Sequence, residues 1–325
     1  MFKNYMKLVF LNLSASIPLS ILVALSLAIG CSKKSSDTGT TAVDFSENGQ
    51  QVSDAASSVD EMGGGTATIS SLKSLVDLDL QAAQRIFSRY GEELASDPQV
   101  QSLGGELAPF AACAGTGFGS CSSNTITRTF AGCTVGLATF SGAVSIVWGG
   151  AATTCALSAI GDYITRYPVS PGYTVTGLRG ATLTVSASGA VGQRLTWSSG
   201  SGTSKTFSFT NDGIRRVFQS AGGTTLFDLT TTTNSAVTVT GTARSSRTMT
   251  GGSLRVTDNL KNTYCDFTPS NVIWTTGCNC PISGSFTGTC SGGETSSLTI
   301  NSCTTGTITV GSSSSSITFD RCAGI

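Results

Sequence analysis

Cysteine is the residue type in this chain whose number and spacing point most directly to chemistry. The 325 residues include 11 Cys and no His. Because His is the commonest neutral-pH general base and metal ligand, its absence excludes Ser–His–Asp and Cys–His hydrolases and His-ligated zinc sites. Cys31 ends an apolar run near the N-terminus. The other ten cysteines are Cys113, Cys121, Cys133, Cys155, Cys265, Cys278, Cys280, Cys290, Cys303 and Cys322.

Ten is an even number, and it predicts five disulfides if the chain is exported to an oxidising compartment. A metal site is not predicted, because Cys278-Asn279-Cys280 lacks the two-residue gap of a zinc knuckle and no C-x-x-C accompanies it. The sequence predicts no cofactor.

The cysteine spacing suggests an internal duplication. Cys113, Cys121, Cys133 and Cys155 recur 167 to 170 residues later as Cys280, Cys290, Cys303 and Cys322. This hypothesis predicts that the second set pairs as the first does, in one of two schemes. One scheme has Cys133–Cys155 and Cys303–Cys322 across hairpins that turn at Ser141-Gly142 and Ser312–Ser316, with Cys113–Cys121, Cys280–Cys290 and Cys265–Cys278. The other has Cys113–Cys133 and Cys280–Cys303.

Carboxylates are the remaining candidates for catalysis. Residues 107–325 contain seven of them: Asp162, Asp212, Asp228, Asp258, Asp266, Glu294 and Asp320. Glycoside hydrolysis needs two carboxyl groups roughly 5–10 Å apart. Asp212 and Asp258 stand beside Gly213 and Asn259, so we expect both in turns. A carboxylate-dependent hydrolase, such as a carbohydrate-active enzyme, is therefore the alternative function.

Two residue types could form a binding surface without catalysis. A flat array of threonine hydroxyls can bind carbohydrate if eight alternating threonines share a sheet face, although Thr is also common on any exposed sheet face. They are Thr174, Thr176, Thr182, Thr184, Thr206, Thr210, Thr238 and Thr240. Ten of the 12 Lys+Arg in residues 107–325 are Arg, whose forked guanidinium suits an anionic envelope polymer. They are Arg128, Arg166, Arg179, Arg194, Arg215, Arg216, Arg244, Arg247, Arg255 and Arg321.

Short alternating runs must position these residues. Apolar residues alternate with Thr or Ser in six segments: 173–176, 181–186, 205–210, 236–240, 297–300 and 306–310. One-sided alternation predicts antiparallel strands with one solvated face. Turns are expected at Asn211-Asp212-Gly213 and between Ser291 and Glu294. The predicted fold class for residues 107–325 is all-β, a disulfide-braced antiparallel β-sandwich or broad curled sheet.

The segments before the sheet differ in composition. In residues 67–106, apolar side chains recur at three- and four-residue steps from Ile69 to Tyr90, which predicts one amphipathic helix packed on the sheet. Residues 31–66 are rich in Ser, Thr, Asp and Gly, which predicts a flexible acidic tether.

The N-terminus resembles the signal peptide of bacterial lipoproteins. Lys3 and Lys7 precede an apolar run from Leu8 to Ile29, which leads into Gly30-Cys31. The resemblance implies that residues 1–30 are removed as a signal peptide and that Cys31 is acylated, with palmitate or a similar chain. Ser32, rather than Asp, follows the cysteine, which implies the outer membrane. The alternative is an uncleaved membrane-anchor helix.

These features together predict a lipid-anchored protein of the cell envelope with a non-catalytic structural or adhesive role. The membrane is the expected partner through the N-terminal lipid. A glycan or an anionic envelope polymer is the candidate ligand, and no nucleic-acid partner is expected.

Overall fold

The computed structural model describes Gln51, Ala55 and residues 120–135, 138–177, 180–276, 278 and 281–318. These residues belong to one unit, Thr40–Ile325. The sixteen strands of the described part are β1 (Thr125–Val135), β2 (Ala138–Gly149), β3 (Tyr163–Thr176), β4 (Thr182–Ala187), β5 (Gln193–Ser199), β6 (Thr206–Asn211), β7 (Ile214–Gln219), β8 (Thr225–Ser235), β9 (Val237–Thr240), β10 (Thr248–Thr250), β11 (Ser253–Asp258), β12 (Thr263–Ile273), β13 (Ser283–Cys290), β14 (Thr295–Ile300), β15 (Thr305–Val310) and β16 (Ser313–Thr318). Short 3-10 turns occupy Gly202–Ser204 and Arg244–Ser246.

The predicted all-β class is confirmed. Each of the six alternating runs coincides with or overlaps a strand, and the two predicted turns join β6 to β7 and β13 to β14. Within β6, for example, Phe207 and Phe209 are buried while Thr206 and Ser208 are partly exposed. This alternation buries one face of each strand and leaves hydroxyl groups on the other.

All pairings are antiparallel, and the strands form one sheet whose path closes on itself. Ten strands run in the order β10-β9-β6-β5-β3-β4-β7-β8-β11-β12, and β10 also pairs with β12, which completes a ring. β2 and β1 extend the sheet beyond β3, while β13 to β16 extend it beyond β12.

The ring divides into two arcs at its two long strands, β3 and β12. One arc consists of β5, β6, β9 and β10, and the other of β4, β7, β8 and β11. Tyr163–Arg166 pair with β5, whereas Tyr173–Thr176 pair with β4. In the same way, β12 pairs with β11 through residues 263–267 and with β10 through Val272 and Ile273. Each long strand changes register beside a glycine of its neighbour, Gly142 of β2 and Gly284 of β13. The extra residues bend the strand so that it can serve both arcs.

Backbone atoms approach closely at both bends. A Cβ on Gly142 would lie 2.4 Å from the carbonyl oxygen of Gly172, and one on Gly284 would lie 2.4 Å from that of Asn271. Both glycines have positive φ, +109° and +112°. The bends therefore require glycine for two reasons, conformation and space.

The two faces of the sheet differ in chemistry. The face that carries Val256, Phe267 and Phe286 is called the inner face, and its side chains are buried. The face that carries Arg255, Asp266 and Thr287 is called the outer face, and its side chains reach solvent.

Three disulfides brace the described part: Cys121–Cys155, Cys265–Cys290 and Cys278–Cys303. Cys265 and Cys290 face each other across β12 and β13. The loops that hold Cys278 and Cys303 follow β12 and β14, so antiparallel pairing places both at the same end of the sheet. The side chains of Cys113, Cys133, Cys280 and Cys322 lie outside the described residues.

Both predicted pairing schemes are wrong. Cys155 pairs with Cys121 rather than Cys133, because the first hairpin reverses between Val135 and Ala138 and not at Ser141-Gly142, which lies inside β2. Cys265 pairs with Cys290 rather than Cys278, and Cys303 pairs with Cys278 rather than Cys280 or Cys322. A second set that copied Cys121–Cys155 would join Cys290 to Cys322, so the duplication hypothesis is also wrong for the pairing.

The predicted helix from Ile69 to Tyr90, the signal peptide and Cys31 lie outside the described residues. Within the predicted tether, Gln51 and Ala55 are described, and both are helical and fully buried. At these two positions the chain is packed rather than free in solvent.

No helix within the described ranges is long and apolar enough to cross a membrane.

Candidate binding site on the outer face

A shallow groove lies on the outer face where β12, β13 and β14 run side by side. Its volume is about 540 Å³. Its lining comes from β12, from β13, from the turn after β13 and from the first residue of β14. The lining residues are Tyr264, Asp266, Thr268, Thr287, Gly288, Thr289, Cys290, Ser291, Gly293 and Thr295.

Tyr264 is the aromatic residue of this groove. Tyr264 is 37% exposed, and it is the one aromatic residue among the exposed large hydrophobic residues of the described part. The guanidinium carbon of Arg255 lies 3.9 Å from the centre of the ring. This cation–π contact fixes the ring against the sheet. The turn after β13 fixes its backbone, because the Ser291 amide donates to the Tyr264 carbonyl at 2.7 Å.

Asp266 also binds Arg255, and we call Arg255, Asp266, Asn234 and Tyr264 the Asp266 cluster. Arg255 lies directly opposite Asp266 in the β11–β12 register and donates from Nε to Oδ1 at 2.8 Å and from Nη2 to Oδ2 at 2.7 Å. Asn234 of β8 adds a third hydrogen bond, from Nδ2 to Oδ1 at 2.7 Å. The forked geometry consumes the donors of Arg255 that face the carboxylate.

These bonds set the charge of the cluster. The hydrogen bonds from Arg255 lower the pKa of Asp266, burial raises it by less, and Asn234 and the positive charge of Arg255 lower it further. Asp266 is therefore ionised at neutral pH, and its charge is balanced by Arg255. The groove holds one carboxylate among its lining residues, and that carboxylate is committed to an ion pair.

Hydroxyl groups continue from the groove across the last four strands. On the outer face, Thr287 is opposite Ser297, Ser297 is opposite Thr309, and Thr309 is opposite Ser314. A parallel row runs through Ser285, Thr299, Thr307 and Ser316. The result is a flat polar surface that offers donors and acceptors without net charge.

A second cluster of the same composition lies across the outer face. Arg215 of β7 makes a forked ion pair with Asp228 of β8, with Nε to Oδ1 at 2.8 Å. Asn259 donates from Nδ2 to Asp228 Oδ1 and to Thr230 Oγ1, both at 2.8 Å. The hydrogen bonds from Arg215 lower the pKa of Asp228 more than burial raises it.

The eight predicted threonines do not form one array. Thr174 and Thr176 lie opposite Thr184 and Thr182 on β3 and β4, with the hydroxyls of Thr174 and Thr184 3.5 Å apart. Thr206 lies opposite Thr240, and Thr238 and Thr210 are on the same part of the sheet, β6 and β9. These two groups are on different arcs of the ring, because the path divides at β3.

The predicted carboxylates are dispersed rather than paired with each other. Asp258 accepts the amides of Leu260 and Lys261, and Asp212 accepts those of Val191 and Gly192, so both have the expected turn roles. Asp162 also accepts backbone amides, whereas Asp228 and Asp266 bind arginines. Glu294 lies exposed in the β13–β14 turn, and Asp320 lies outside the described residues.

Most of the described arginines contact other residues of the protein or are buried. Arg215 and Arg255 bind carboxylates, and Arg194 lies over the Tyr163 ring, with its guanidinium carbon 4.1 Å from the ring centre. Four further arginines are buried: Arg128, Arg166, Arg216 and Arg247. Arg179, Arg321 and the side chain of Arg244 lie outside the described residues. The forked contacts predicted for an external anion are thus made, at Arg215 and Arg255, to carboxylates of the same chain.

Sequence reasoning missed the groove. Tyr264, Thr287 and Thr289 belong to no motif, and only the alternation of Ser, Thr and apolar residues from 283 to 290 could have shown that the two threonines share a face. Within the described ranges, no cluster of three metal-ligating side chains is found.

Comparison of the chain with protein-family models, with curated proteins and with solved structures finds no match.

Proposed function

We propose that this protein is a lipid-anchored envelope protein that binds a neutral glycan, without hydrolysing it, in the groove formed by β12, β13 and β14. The observation that carries the proposal is the placement of an exposed tyrosine ring, stacked by Arg255, beside threonine hydroxyls. Sugar rings present C–H groups on their faces and hydroxyl groups at their edges, so an aromatic face beside hydroxyl donors and acceptors complements both.

The charge of the site favours a neutral ligand over an anionic polymer. Arg255 is already engaged by Asp266, and a phosphate or carboxylate would have to displace the two hydrogen bonds of that ion pair. A neutral glycan can use the hydroxyl groups of Thr268, Thr287 and Thr289 without that cost.

The groove supports binding rather than hydrolysis for a similar reason. Glycoside hydrolysis needs two carboxyl groups, one of which is protonated when the reaction begins. Asp266 is the one carboxylate in the lining, and Arg255 keeps it ionised. It cannot serve as the general acid at neutral pH.

The test uses the full mature chain in a non-glycosidic detergent. Probes are oligomers of glucose in α and β linkage, oligomers of N-acetylglucosamine, and heparin as the anionic probe, with binding measured by calorimetry. We expect saturable binding of at least one neutral oligomer and a loss of affinity of at least about tenfold in Tyr264→Leu, or about 1.4 kcal/mol.

Tyr163→Leu is the matched control. Tyr163 also lies under an arginine, Arg194, but on the other arc of the ring, so its loss should leave the affinity unchanged. Binding of heparin alone, or equal effects of the two substitutions, would contradict the proposal. Release of new reducing ends from the bound oligomer, abolished by Asp266→Asn, would favour the hydrolase instead.

The membrane anchor is part of the same proposal and has its own test. The charged N-terminus, the apolar run and Gly30-Cys31 support acylation of Cys31. Cys31→Ser should abolish labelling with a fatty-acid analogue and leave the precursor unprocessed. Labelling that persists in this variant would exclude Cys31 as the lipid site.

A further inference from the structure

Two rows of hydroxyl groups cross the outer face from β12 to β16. Strand register places one side chain of each row on each of these strands. The first row consists of Thr268, Thr287, Ser297, Thr309 and Ser314, and the second of Ser270, Ser285, Thr299, Thr307 and Ser316. Because serine or threonine occupies every position, both rows are uncharged along their full length.

The rows reach solvent, while the opposite face of the same strands is buried. Phe286, Leu298 and Ile308 alternate with the row residues along β13, β14 and β15, and each is at most 2% exposed. The row residues themselves are exposed or partly exposed. The hydroxyl groups are therefore presented to solvent on strands that are packed from beneath.

The groove and the rows are continuous. Thr268 and Thr287 line the groove and are also the first two members of the first row. From Thr287 the row continues to Ser297, Thr309 and Ser314, which lie beyond the groove. A ligand that is seated in the groove and is longer than it can thus continue along the rows.

The other side of the groove is less favourable for a neutral chain. There Arg255 and Asp266 lie opposite each other on β11 and β12 and form the ion pair of the Asp266 cluster. A neutral chain that crossed this pair would take two charges out of water, which costs free energy. The rows on β14, β15 and β16 impose no such cost.

The spacing of the rows selects the shape of the ligand. Neighbouring strands lie about 4.8 Å apart, so five strands span roughly 19 Å and offer one hydroxyl group of each row at every step. Each sugar of an extended β-1,4-linked glycan advances the chain by close to one strand spacing, and successive sugars stay in line. An α-1,4-linked chain curves instead and leaves a flat surface after a few sugars.

Building on the proposed function, we infer that the ligand is an extended β-1,4-linked glycan of about five sugars or more, and that the sugars beyond the groove lie over β14, β15 and β16 along the two rows. Serine and threonine hydroxyls donate and accept hydrogen bonds, as sugar hydroxyls do. Thr307 Oγ1 accepts from Asn301 Nδ2 at 2.9 Å and still has its own proton to donate.

The dependence of affinity on ligand length tests the inference. Probes are β-1,4-linked oligomers of glucose and of N-acetylglucosamine and α-1,4-linked oligomers of glucose, each from the disaccharide to the hexasaccharide. Binding to the full mature chain is measured by calorimetry in a non-glycosidic detergent. We expect the affinity of a β-linked series to rise at least about tenfold from disaccharide to hexasaccharide, and that of the α-linked series by less than about threefold.

Two pairs of threonines supply matched variants. Thr307 and Thr309 belong to the two rows, are partly exposed and lie two residues apart on β15. Thr182 and Thr184 have the same spacing and are also partly exposed, but they lie on β4, which pairs with β3 and β7. Replacing threonine by valine removes the hydroxyl group and keeps a side chain that suits a strand.

Thr307→Val with Thr309→Val should weaken binding of the β-linked hexasaccharide at least about fivefold, because two hydrogen bonds are lost. The same variant should bind the disaccharide as the wild type does, because the groove has no lining residue on β15. Thr182→Val with Thr184→Val should change neither affinity.

The outcomes separate this inference from the proposed function. Binding that depends on Tyr264 but not on ligand length would overturn the inference and leave the groove as a glycan site. An equal gain with length in the α-linked series, or equal effects of the two double substitutions, would do the same. Failure of every neutral oligomer to bind would overturn the proposed function and the inference together.

Discussion

Asp162 gives the sharpest prediction of stability. Its carboxylate accepts amide hydrogen bonds from Ala151 and Ala159 at 2.8 Å and from Ser158 at 2.7 Å, and the Ser158 hydroxyl donates at 2.8 Å. Burial raises the pKa of Asp162, but these four hydrogen bonds outweigh it and lower the pKa from 3.8 to about 2. They hold the loop between β2 and β3 closed.

The size of the effect follows from linkage. A shift from 3.8 to about 2 corresponds to roughly 2 kcal/mol at neutral pH. We discount this to about 1–2 kcal/mol, because Ala151, Ser158 and Ala159 are exposed and the carboxylate lies just beneath them. Because the folded-state pKa is depressed, this stability is present above pH 3.8 and is lost as the pH falls towards 2.

The measurement is urea unfolding of the wild type and Asp162→Asn at pH 7, 5 and 3. The variant keeps the shape but has no ionisable group, so it should be less stable by at least about 1–2 kcal/mol at pH 7. Other carboxylates titrate in both proteins and cancel in the difference. The difference should be unchanged at pH 5 and about half lost at pH 3. A difference that is the same at pH 7 and pH 3 would refute the assigned role.

Two further predictions concern the framework. Peptide mapping without reduction should find Cys121–Cys155, Cys265–Cys290 and Cys278–Cys303. Replacing both members of a pair by Ser should lower the free energy of unfolding by about 3–4 kcal/mol, since the loops span 34, 25 and 25 residues. Any other pairing of these six cysteines would contradict the strand register. Gly142→Ala should lower the free energy of unfolding by at least about 3 kcal/mol, because its Cβ would meet the Gly172 carbonyl, whereas Gly161→Ala, with φ of +96° and open space, should cost only about 1–2 kcal/mol.

Local pattern was enough to predict the strands. Alternation of apolar and polar residues, as in 205–210, depends only on which face of the strand is buried. A segment of six residues is long enough to show it. The same holds for the turn at Asn211-Asp212-Gly213, whose glycine has a φ of +141°. The all-β class could therefore be predicted from composition and period alone.

The disulfides could not be predicted in the same way, because they depend on register and on which loops share an end of the sheet. Cys278 meets Cys303 only because β13 and β14 run out and back between them. The position of Tyr264 in a groove could not be predicted for a related reason. Its importance comes from Arg255 on one neighbouring strand and the threonines of β13 on the other, and these contacts cross three strands.

Arg215 and Arg216 show why arginine content alone does not predict an anionic ligand. They are adjacent in sequence, yet the pleat of β7 sends one to the outer face and the other to the inner face. The outer one is balanced by Asp228, as Arg255 is balanced by Asp266. The two outer clusters therefore carry little net charge, and four other arginines, Arg216 among them, are buried and cannot meet an external ligand. In the groove, what remains for a ligand is the Tyr264 ring and the threonine hydroxyl groups, and that chemistry suits a sugar better than a phosphate.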